Sequence, residues 1–166
     1  MPSWITSERS GWRAESVPLP DRKATGTDRV LVDTDIFSEI FKQRDPNVAA
    51  RAVAYQAARG AFTISVITVM EISSGLHRIQ AAKQFARFEE MLAGCEVLPF
   101  DPTAALLAGK IDAELKRRGT TIDSNDVMIA AIALGANIPL VTGNTAHFET
   151  VKSGGYPLVI ENWRAL

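Results

Sequence analysis

Short, largely apolar segments alternate with helical patterns from residue 29 onward, and this alternation limits the folds open to the chain. Apolar runs of a few residues, rich in β-branched side chains, are typical of strands buried on both faces. Strands that alternate with helices form parallel sheets with helices on both sides. The sequence therefore predicts an α/β fold with strands at residues 30–32, 61–65, 97–100, 139–142 and 158–160.

The segments between these strands show helical spacing of apolar residues and recognisable helix starts. Pro46 and Pro102 each follow an aspartate, which suits the first turn of a helix. A break near Gly75 is expected to separate two helices, and His147 and Phe148 are expected on a short turn. The predicted helices span residues 36–41, 46–58, 68–76, 78–93, 102–118 and 124–135.

Composition narrows the class of protein. The 166 residues suit one domain, and 46% hydrophobic residues suffice for a folded core. A formal net charge of −1 provides no overall field for nucleic acid, so such binding would need a local basic patch. Cys95 is the only cysteine, which excludes an intrachain disulfide and fits a reducing compartment. Signal-peptide and membrane-span patterns are lacking, so we expect a cytoplasmic protein without a membrane partner.

Residues 1–28 differ from the remainder of the chain. They contain three of the prolines, four serines, scattered charges and few apolar residues. We interpret them as an irregular N-terminal arm that precedes a folded domain at residues 29–166. Two interpretations of the arm stay open: an unattached tail, or a segment whose Trp4 and Trp12 dock on the body or on a partner.

Three acidic side chains lie close to the ends of buried segments. Asp33 directly follows the first strand, Glu71 lies less than two helical turns beyond the second, and Asp126 opens an apolar helix. Because the strand ends of a parallel sheet meet at one edge, where ligands bind, these carboxylates can meet in space. Carboxylates held together repel unless a cation lies between them. The pattern predicts a hard-metal site and, with it, phosphodiester chemistry.

Asp33 also has a structural interpretation. It precedes a helix, so its side chain could accept hydrogen bonds from the free N–H groups of the first turn. Asp35 lies closer to the predicted helix start and could take that role instead. A buried carboxylate directly after an apolar strand needs a partner, so we favour a functional role for Asp33.

Glu71 and Asp126 have structural alternatives as well. Thr68 and Glu71 have the spacing of a capping box, in which the glutamate bonds back to the N–H of the cap residue. Asp126 lies in a first helical turn, which the helix dipole favours for an acid, while Asp123 can serve as the cap. The helix behind Asp126 is apolar on every side, so its burial would hold this carboxylate rigidly.

Two neutral donors and the histidines complete the set of candidates. Thr142 and Asn144 follow the fourth strand and either offer oxygen atoms to a cation or phosphate, or form an ordinary polar turn. His77 and His147 are far apart and have no ligand spacing, so we expect no zinc site.

Residues 29–166 resemble a PIN domain, specifically the VapC type of toxin ribonuclease. The resemblance depends on five segments in the same order at suitable intervals, and not on any single motif. These segments are residues 30–35, 67–76, 126–131, 140–148 and 158–163.

The resemblance implies a three-layer α/β/α sandwich whose parallel sheet has the strand order 3-2-1-4-5. It implies Mg²⁺ or Mn²⁺ bound by Asp33, Glu71 and Asp126, and endonucleolytic hydrolysis of RNA by a metal-activated water. It also implies a homodimer and an antitoxin of the VapB type that blocks the site. In this scheme Thr34 and Thr142 donate hydrogen bonds that position ligands or phosphate.

The chain departs from the family pattern at several positions. Family members often carry a fourth acid where this chain has Asn144 or His147, which argues against a second, tightly bound ion. Asp35 replaces a small polar residue, and this extra acid could partly compensate. The arm before residue 29 has no counterpart in the family.

Two other functions remain open. The segment Asp33-Thr34-Asp35 resembles the nucleophile motif of haloacid-dehalogenase phosphatases, but Ile36 and Phe37 stand where that family has Gly and Thr. A non-catalytic PIN-like binding module also fits, because the fourth carboxylate is missing.

Overall fold

The computed structural model describes residues 29–165 of the chain. The arm predicted for residues 1–28 lies outside the described residues, so its interpretation stays a prediction.

Residues 29–165 contain a five-stranded sheet in which all neighbouring strands are parallel. The strand order is β3-β2-β1-β4-β5, which confirms the order implied by the family resemblance. Each predicted strand lies within two residues of an observed one. The strands are β1 (Leu31–Val32), β2 (Thr63–Ser65), β3 (Glu96–Leu98), β4 (Leu140–Val141) and β5 (Ile160–Glu161).

Helices occupy most of the connections between the strands. Helices begin at Pro46 and Pro102, as predicted. Asp45 and Asp101 accept hydrogen bonds from N–H groups in the first turns of these helices. Residues 29–165 form seven helices: α1 (Thr34–Lys42), α2 (Pro46–Arg59), α3 (Val66–Arg78), α4 (Ala82–Ala93), α5 (Pro102–Arg117), α6 (Ser124–Ala136) and α7 (Thr145–Ser153).

The predicted break at Gly75 is wrong. Gly75 lies inside α3, and the chain turns instead between α3 and α4, where Gln80 adopts a φ of 54°. There the N–H of Ala81 donates to the carbonyl of Leu76 at 3.0 Å. One glycine inside a helix costs only about 1 kcal/mol, which packing of the surrounding helix can offset.

The predicted turn at His147 and Phe148 is also wrong, because both residues belong to α7. Phe148 and Val151 lie one helical turn apart and are completely buried. These two side chains anchor the helix although its remaining surface is mostly polar. The existence of α7 places His147 on a rigid element beside the edge of the sheet.

Two hydrophobic clusters lie on opposite faces of the sheet, which makes the molecule a three-layer sandwich. Successive residues of a strand point to opposite faces, and Leu31 and Leu140 join one cluster while Val32 and Val141 join the other. The first cluster is completed by α5, α6 and α7, and the second by α1 to α4. Within residues 29–165, no helix has the length and apolar character needed to cross a membrane.

Candidate active site

Asp33 lies at the carboxyl end of β1, where it is also the N-cap of α1. Its Oδ1 accepts the N–H of Thr34 at 2.7 Å, and its Oδ2 accepts the hydroxyl of Thr142 at 2.8 Å. The side chain is buried, and this burial raises the pKa of Asp33 to about 7 although both hydrogen bonds act in the opposite direction. Asp33 therefore has a capping role, and its charge is still poorly compensated.

Glu71 does not belong to a capping box. The N-cap of α3 is Ser65, whose hydroxyl accepts the N–H of Thr68 at 2.9 Å. Glu71 consequently lies in the second turn of α3, beyond the reach of the cap residue. The capping interpretation of Glu71 is wrong because α3 starts two residues earlier than predicted.

The carboxylate of Glu71 is held by donors from two other elements. The hydroxyl of Thr34, at the start of α1, donates to its Oε2 at 2.5 Å. The amide of Asn125, in the first turn of α6, donates to its Oε1 at 2.8 Å. Glu71 thereby connects the ends of the first two strands with the start of α6.

Asp126 lies in the first turn of α6, and Asp123 caps that helix by accepting the N–H of Asn125 at 2.8 Å. The Oδ2 of Asp126 lies 2.6 Å from Nδ1 of His147 and accepts the amide of Asn144 at 3.4 Å. Burial raises the pKa of Asp126, which the contact with His147 opposes. The prediction that Asp123 caps α6 is confirmed.

The loop after β4 joins two of these acids. Thr142 is completely buried, and its hydroxyl accepts the N–H of Asn144 at 3.0 Å while it donates to Asp33. Asn144 in turn donates to Asp126. The residues predicted as neutral donors thus contact the acidic side chains themselves.

The three acids share one edge of the sheet and influence each other electrostatically. The Asp126 carboxylate raises the pKa of Asp33, and the Glu71 carboxylate raises that of Asp126. Within the described range, 29–165, no three His, Cys, Asp or Glu side chains are gathered closely enough to hold a metal ion between them. The acids are therefore neighbours that hydrogen bonds connect, and not a preassembled ligand cluster.

These side chains nevertheless suit a divalent cation. Carboxylate oxygens are the donors that Mg²⁺ and related hard ions prefer. A cation between the acids would offset the burial and the mutual repulsion that raise the pKa values of Asp33 and Asp126.

Asp35 has a different environment from the other acids. Its Oδ1 accepts the N–H of Ile36 at 2.7 Å, and its Oδ2 accepts the N–H of Gly143 at 3.0 Å. The same Oδ2 lies 3.1 Å from Nη1 of Arg164. Burial raises the pKa of Asp35, an effect that the Arg164 guanidinium only partly opposes. Both oxygens of Asp35 already have hydrogen-bond partners, so this acid is a poor substitute for a missing metal ligand.

Three residues that contact these acids escaped the sequence prediction: Asn125, His147 and Arg164. His147 was within reach of sequence reasoning, because Asn144 precedes it by one helical turn and Phe148 follows it. Asn125 looked like a neutral member of the cap sequence. Arg164 carried no signal other than its charge, because its partners are distant in the chain.

Comparison with known proteins agrees with this architecture. The family model described as "PIN domain" matches residues 30–153. Ribonuclease VapC2 of Haemophilus influenzae is 31% identical over 136 residues, covering 81% of this chain and 98% of the relative. The tRNA(fMet)-specific endonuclease VapC of Shigella flexneri is 33% identical with the same coverage.

Two solved complexes are similar in structure. The DNA-bound VapBC from Salmonella typhimurium matches with a TM-score of 0.69 and 30% identity, over 81% of this chain and 98% of the matched chain. VapBC-1 from nontypeable Haemophilus influenzae matches with a TM-score of 0.70 and 26% identity, over 83% of this chain and all of the matched chain.

Proposed function

The chain belongs to the PIN domain family, among relatives of the VapC type, and we propose that it is a metal-dependent endoribonuclease that serves as the toxin of a toxin–antitoxin pair. The observation that carries the chemistry is the environment of Asp33. Its carboxylate is buried, its hydrogen-bond donors are the neutral Thr34 and Thr142, and its pKa lies near neutrality. A buried acid in this state favours a cation beside it.

In the proposed mechanism, Asp33 and Asp126 would hold the ion, and Glu71 would either hold it or orient the attacking water. We propose Mg²⁺, with Mn²⁺ as a substitute, because the ligands are carboxylate oxygens. A bound ion of this kind lowers the pKa of water and offsets the charge that develops on the phosphate oxygens.

The remaining side chains position these acids. The hydroxyl of Thr34 and the amide of Asn125 hold the two oxygens of Glu71, so this carboxylate cannot rotate freely. Thr142 holds Asp33, and Asn144 contacts Asp126. In-line attack by water on phosphorus expels the 3′-oxygen, so the products carry a 5′-phosphate and a 3′-hydroxyl.

The substrate and partners follow from the relatives. Several of them are named as ribonucleases, and two are named as specific for tRNA(fMet), so tRNA is the first substrate class to test. The two similar solved structures described above are VapBC complexes, which supports an antitoxin of the VapB type as partner. We further propose a homodimer that acts in the cytoplasm, where its RNA substrate occurs.

The phosphatase alternative loses its support. A haloacid-dehalogenase mechanism needs an available acid two residues after the nucleophile. Here that acid is Asp35, which is engaged by the N–H of Gly143 and by Arg164.

Cleavage of RNA by the purified protein tests the proposal. With tRNA and Mg²⁺ we expect 5′-phosphate ends and complete inhibition by EDTA. Asp126→Asn should lower the rate by more than the about 10- to 100-fold typical of residues that only orient a ligand, because a neutral amide replaces a direct carboxylate ligand. The matched control is Asp112→Asn, which changes an acid of α5 that pairs with Lys116 and should leave the rate unaltered.

Two results would contradict the nuclease mechanism. If the Asp126→Asn variant cuts RNA at the parental rate, Asp126 has no role in the mechanism. A wild-type protein that binds RNA and antitoxin but neither binds Mn²⁺ nor cuts RNA would favour the non-catalytic binding module.

A further inference from the structure

The segment that follows β5 folds back toward the candidate active site. The side chain of Asn162 accepts the N–H of Arg164 at 2.9 Å, which turns the chain. Trp163 is buried in the cluster beside α1 to α4, with its ring 5.6 Å from that of Tyr55. The turn and the buried indole fix the point from which the Arg164 side chain departs.

Helix α2 holds the backbone of this segment. The amide of Asn47 donates to the carbonyl of Arg164 at 3.1 Å, and the guanidinium of Arg51 donates to the carbonyl of Ala165 at 3.0 Å. With its backbone attached in this way, Arg164 places Nη1 at 3.1 Å from Asp35 and Nη2 at 3.9 Å from Glu39.

A single oxygen atom connects Arg164 with the loop after β4. The Oδ2 of Asp35 receives both the Nη1 of Arg164 and the N–H of Gly143, at 3.1 and 3.0 Å. Gly143 lies between Thr142 and Asn144, which hydrogen-bond to Asp33 and Asp126. The arginine is therefore two contacts away from a loop that holds both proposed ligands.

Gly143 leaves the space that the arginine occupies. A Cβ at position 143 would lie 2.1 Å from Nη1 of Arg164 and 2.6 Å from Oδ2 of Asp35. Any side chain at this position would push the guanidinium and the carboxylate apart. Gly143 therefore leaves room for the contact between Arg164 and Asp35, and a side chain at this position would displace the ends of both.

We propose that Arg164 is a positioning residue of the nuclease site. Through Asp35 and the N–H of Gly143, its guanidinium fixes the loop of residues 142–144 and thereby the orientation of Asp33 and Asp126. This inference rests on the proposed nuclease function. It also gives Asp35 a role as a connector between the segment after β5 and the loop.

Direct contact with an RNA phosphate is the weaker role for Arg164. The guanidinium lies against the carboxylates of Asp35 and Glu39, whose combined negative charge exceeds its own positive charge. Its environment therefore does not attract a phosphate. A positioning role uses the contacts as they are.

Calorimetric titration with Mn²⁺ and steady-state cleavage of RNA test the inference on Arg164→Ala. We expect Mn²⁺ affinity and kcat to fall by about 10-fold or more, in the range typical of residues that orient ligands, with KM for RNA unchanged. Arg164→Lys keeps one charge–charge contact without the planar fork, so it should recover part of the loss. The matched control is Arg29→Ala, which breaks an arginine–carboxylate pair with Glu96 at the amino end of β1.

A double-mutant cycle with Gly143→Ala gives an independent check. Because the new Cβ collides with Arg164, Gly143→Ala alone should lower Mn²⁺ affinity and kcat as Arg164→Ala does. In the Arg164→Ala background the collision with Nη1 is removed. Gly143→Ala should then lower Mn²⁺ affinity and kcat by a clearly smaller factor. If the fold-loss of the double variant equals the product of the two single fold-losses, the two residues act independently and the inference is overturned.

The remaining outcomes are separable. A higher KM with unchanged Mn²⁺ affinity would make Arg164 an RNA contact, and a lower melting temperature with unchanged affinity and kcat would make it purely structural; both overturn the inference. If wild type binds Mn²⁺ and cuts RNA but Arg164→Ala equals it, only this inference fails. If wild type does neither, the proposed function fails and the inference fails with it.

Discussion

The Nδ1 nitrogen of His147 lies 2.6 Å from the Oδ2 oxygen of Asp126, and the contact joins α7 to α6. The two atoms are within hydrogen-bonding distance, and the bond forms when either Nδ1 or the Asp126 carboxyl carries the proton. The amide of Asn144 lies 2.9 Å from the same Nδ1. One oxygen of Asp126 is thus engaged by the imidazole, and Oδ1 is left for a cation. The family resemblance led us to expect an acid at the position of Asn144 or His147, and here His147 instead contacts an existing acid.

His147→Ala should lower the cleavage rate by about 10- to 100-fold, because residues that orient metal ligands typically contribute that much. The measurement is the initial rate at saturating Mg²⁺. His77→Ala is the control, since His77 lies against Phe85 and away from the acids. Equal rates for the two variants would show that His147 does not position Asp126.

Asp33 should make the metal-free protein less stable as the pH rises. The pKa of Asp33 is about 7 in the folded protein, compared with 3.8 for an ordinary aspartate. At pH values between the two, Asp33 carries a proton in the folded protein that it lacks in the unfolded chain. The contribution of this proton to the free energy of unfolding is fully present below about pH 4 and is lost as the pH rises through 7. The shift of about three pKa units corresponds to about 4 kcal/mol at most.

Urea unfolding in EDTA at pH 5 and pH 8 measures this effect. Asp33→Asn keeps a capping side chain but cannot ionise, so its stability should change less between the two pH values. Mg²⁺ at 100 times its Kd should return about 2.7 kcal/mol to wild type at pH 8. The same pH dependence in wild type and Asp33→Asn would contradict the raised pKa.

Local sequence was sufficient to find the acids at the strand ends. Asp33 directly follows a buried strand, and Asp126 lies in the first turn of a helix whose residues are buried on nearly every side. The position of each acid along the chain therefore places it at the edge of the sheet. The sheet order required the family resemblance, because apolar runs do not reveal which strands are neighbours.

Most of the features that the sequence did not predict depend on contacts between distant segments of the chain. Helix α7 is held by the burial of Phe148 and Val151, and its local pattern is too polar to reveal this. The pairing of Arg164 with Asp35 depends on where the turn at Asn162 directs the chain. For Glu71, a shift of two residues in the start of α3 was enough to suggest the wrong hydrogen-bond partner.

Thr142→Val should destabilise the metal-free protein by about 1–3 kcal/mol at pH 8, because buried Asp33 loses its hydroxyl donor there. The hydrogen bond lowers the pKa of Asp33, so its loss raises that pKa further and the cost should be smaller at pH 5. Urea unfolding at both pH values checks this expectation. Thr142→Ser keeps the hydroxyl and is the matched control; equal losses in Val and Ser variants would assign the effect to packing.

Glu71→Gln should abolish cleavage while the fold is retained. Glutamine has the same length, and the hydroxyl of Thr34 can turn to accept a hydrogen bond from the new amide. We expect a fall in kcat of at least about 100-fold, since a neutral amide cannot replace a carboxylate that ligates the ion or orients and polarises the attacking water. The control is Glu90→Gln, which alters an exposed acid of α4.

Mn²⁺ titration of Glu71→Gln then separates the two roles proposed for this carboxylate. If Glu71 ligates the ion, Mn²⁺ affinity should fall together with kcat, because a neutral amide is a weaker ligand than a carboxylate. If Glu71 only orients the attacking water, the affinity should stay near that of wild type while kcat falls. A variant that retains the wild-type kcat would remove Glu71 from the mechanism, and its contacts with Thr34 and Asn125 would then only join α3 to the starts of α1 and α6.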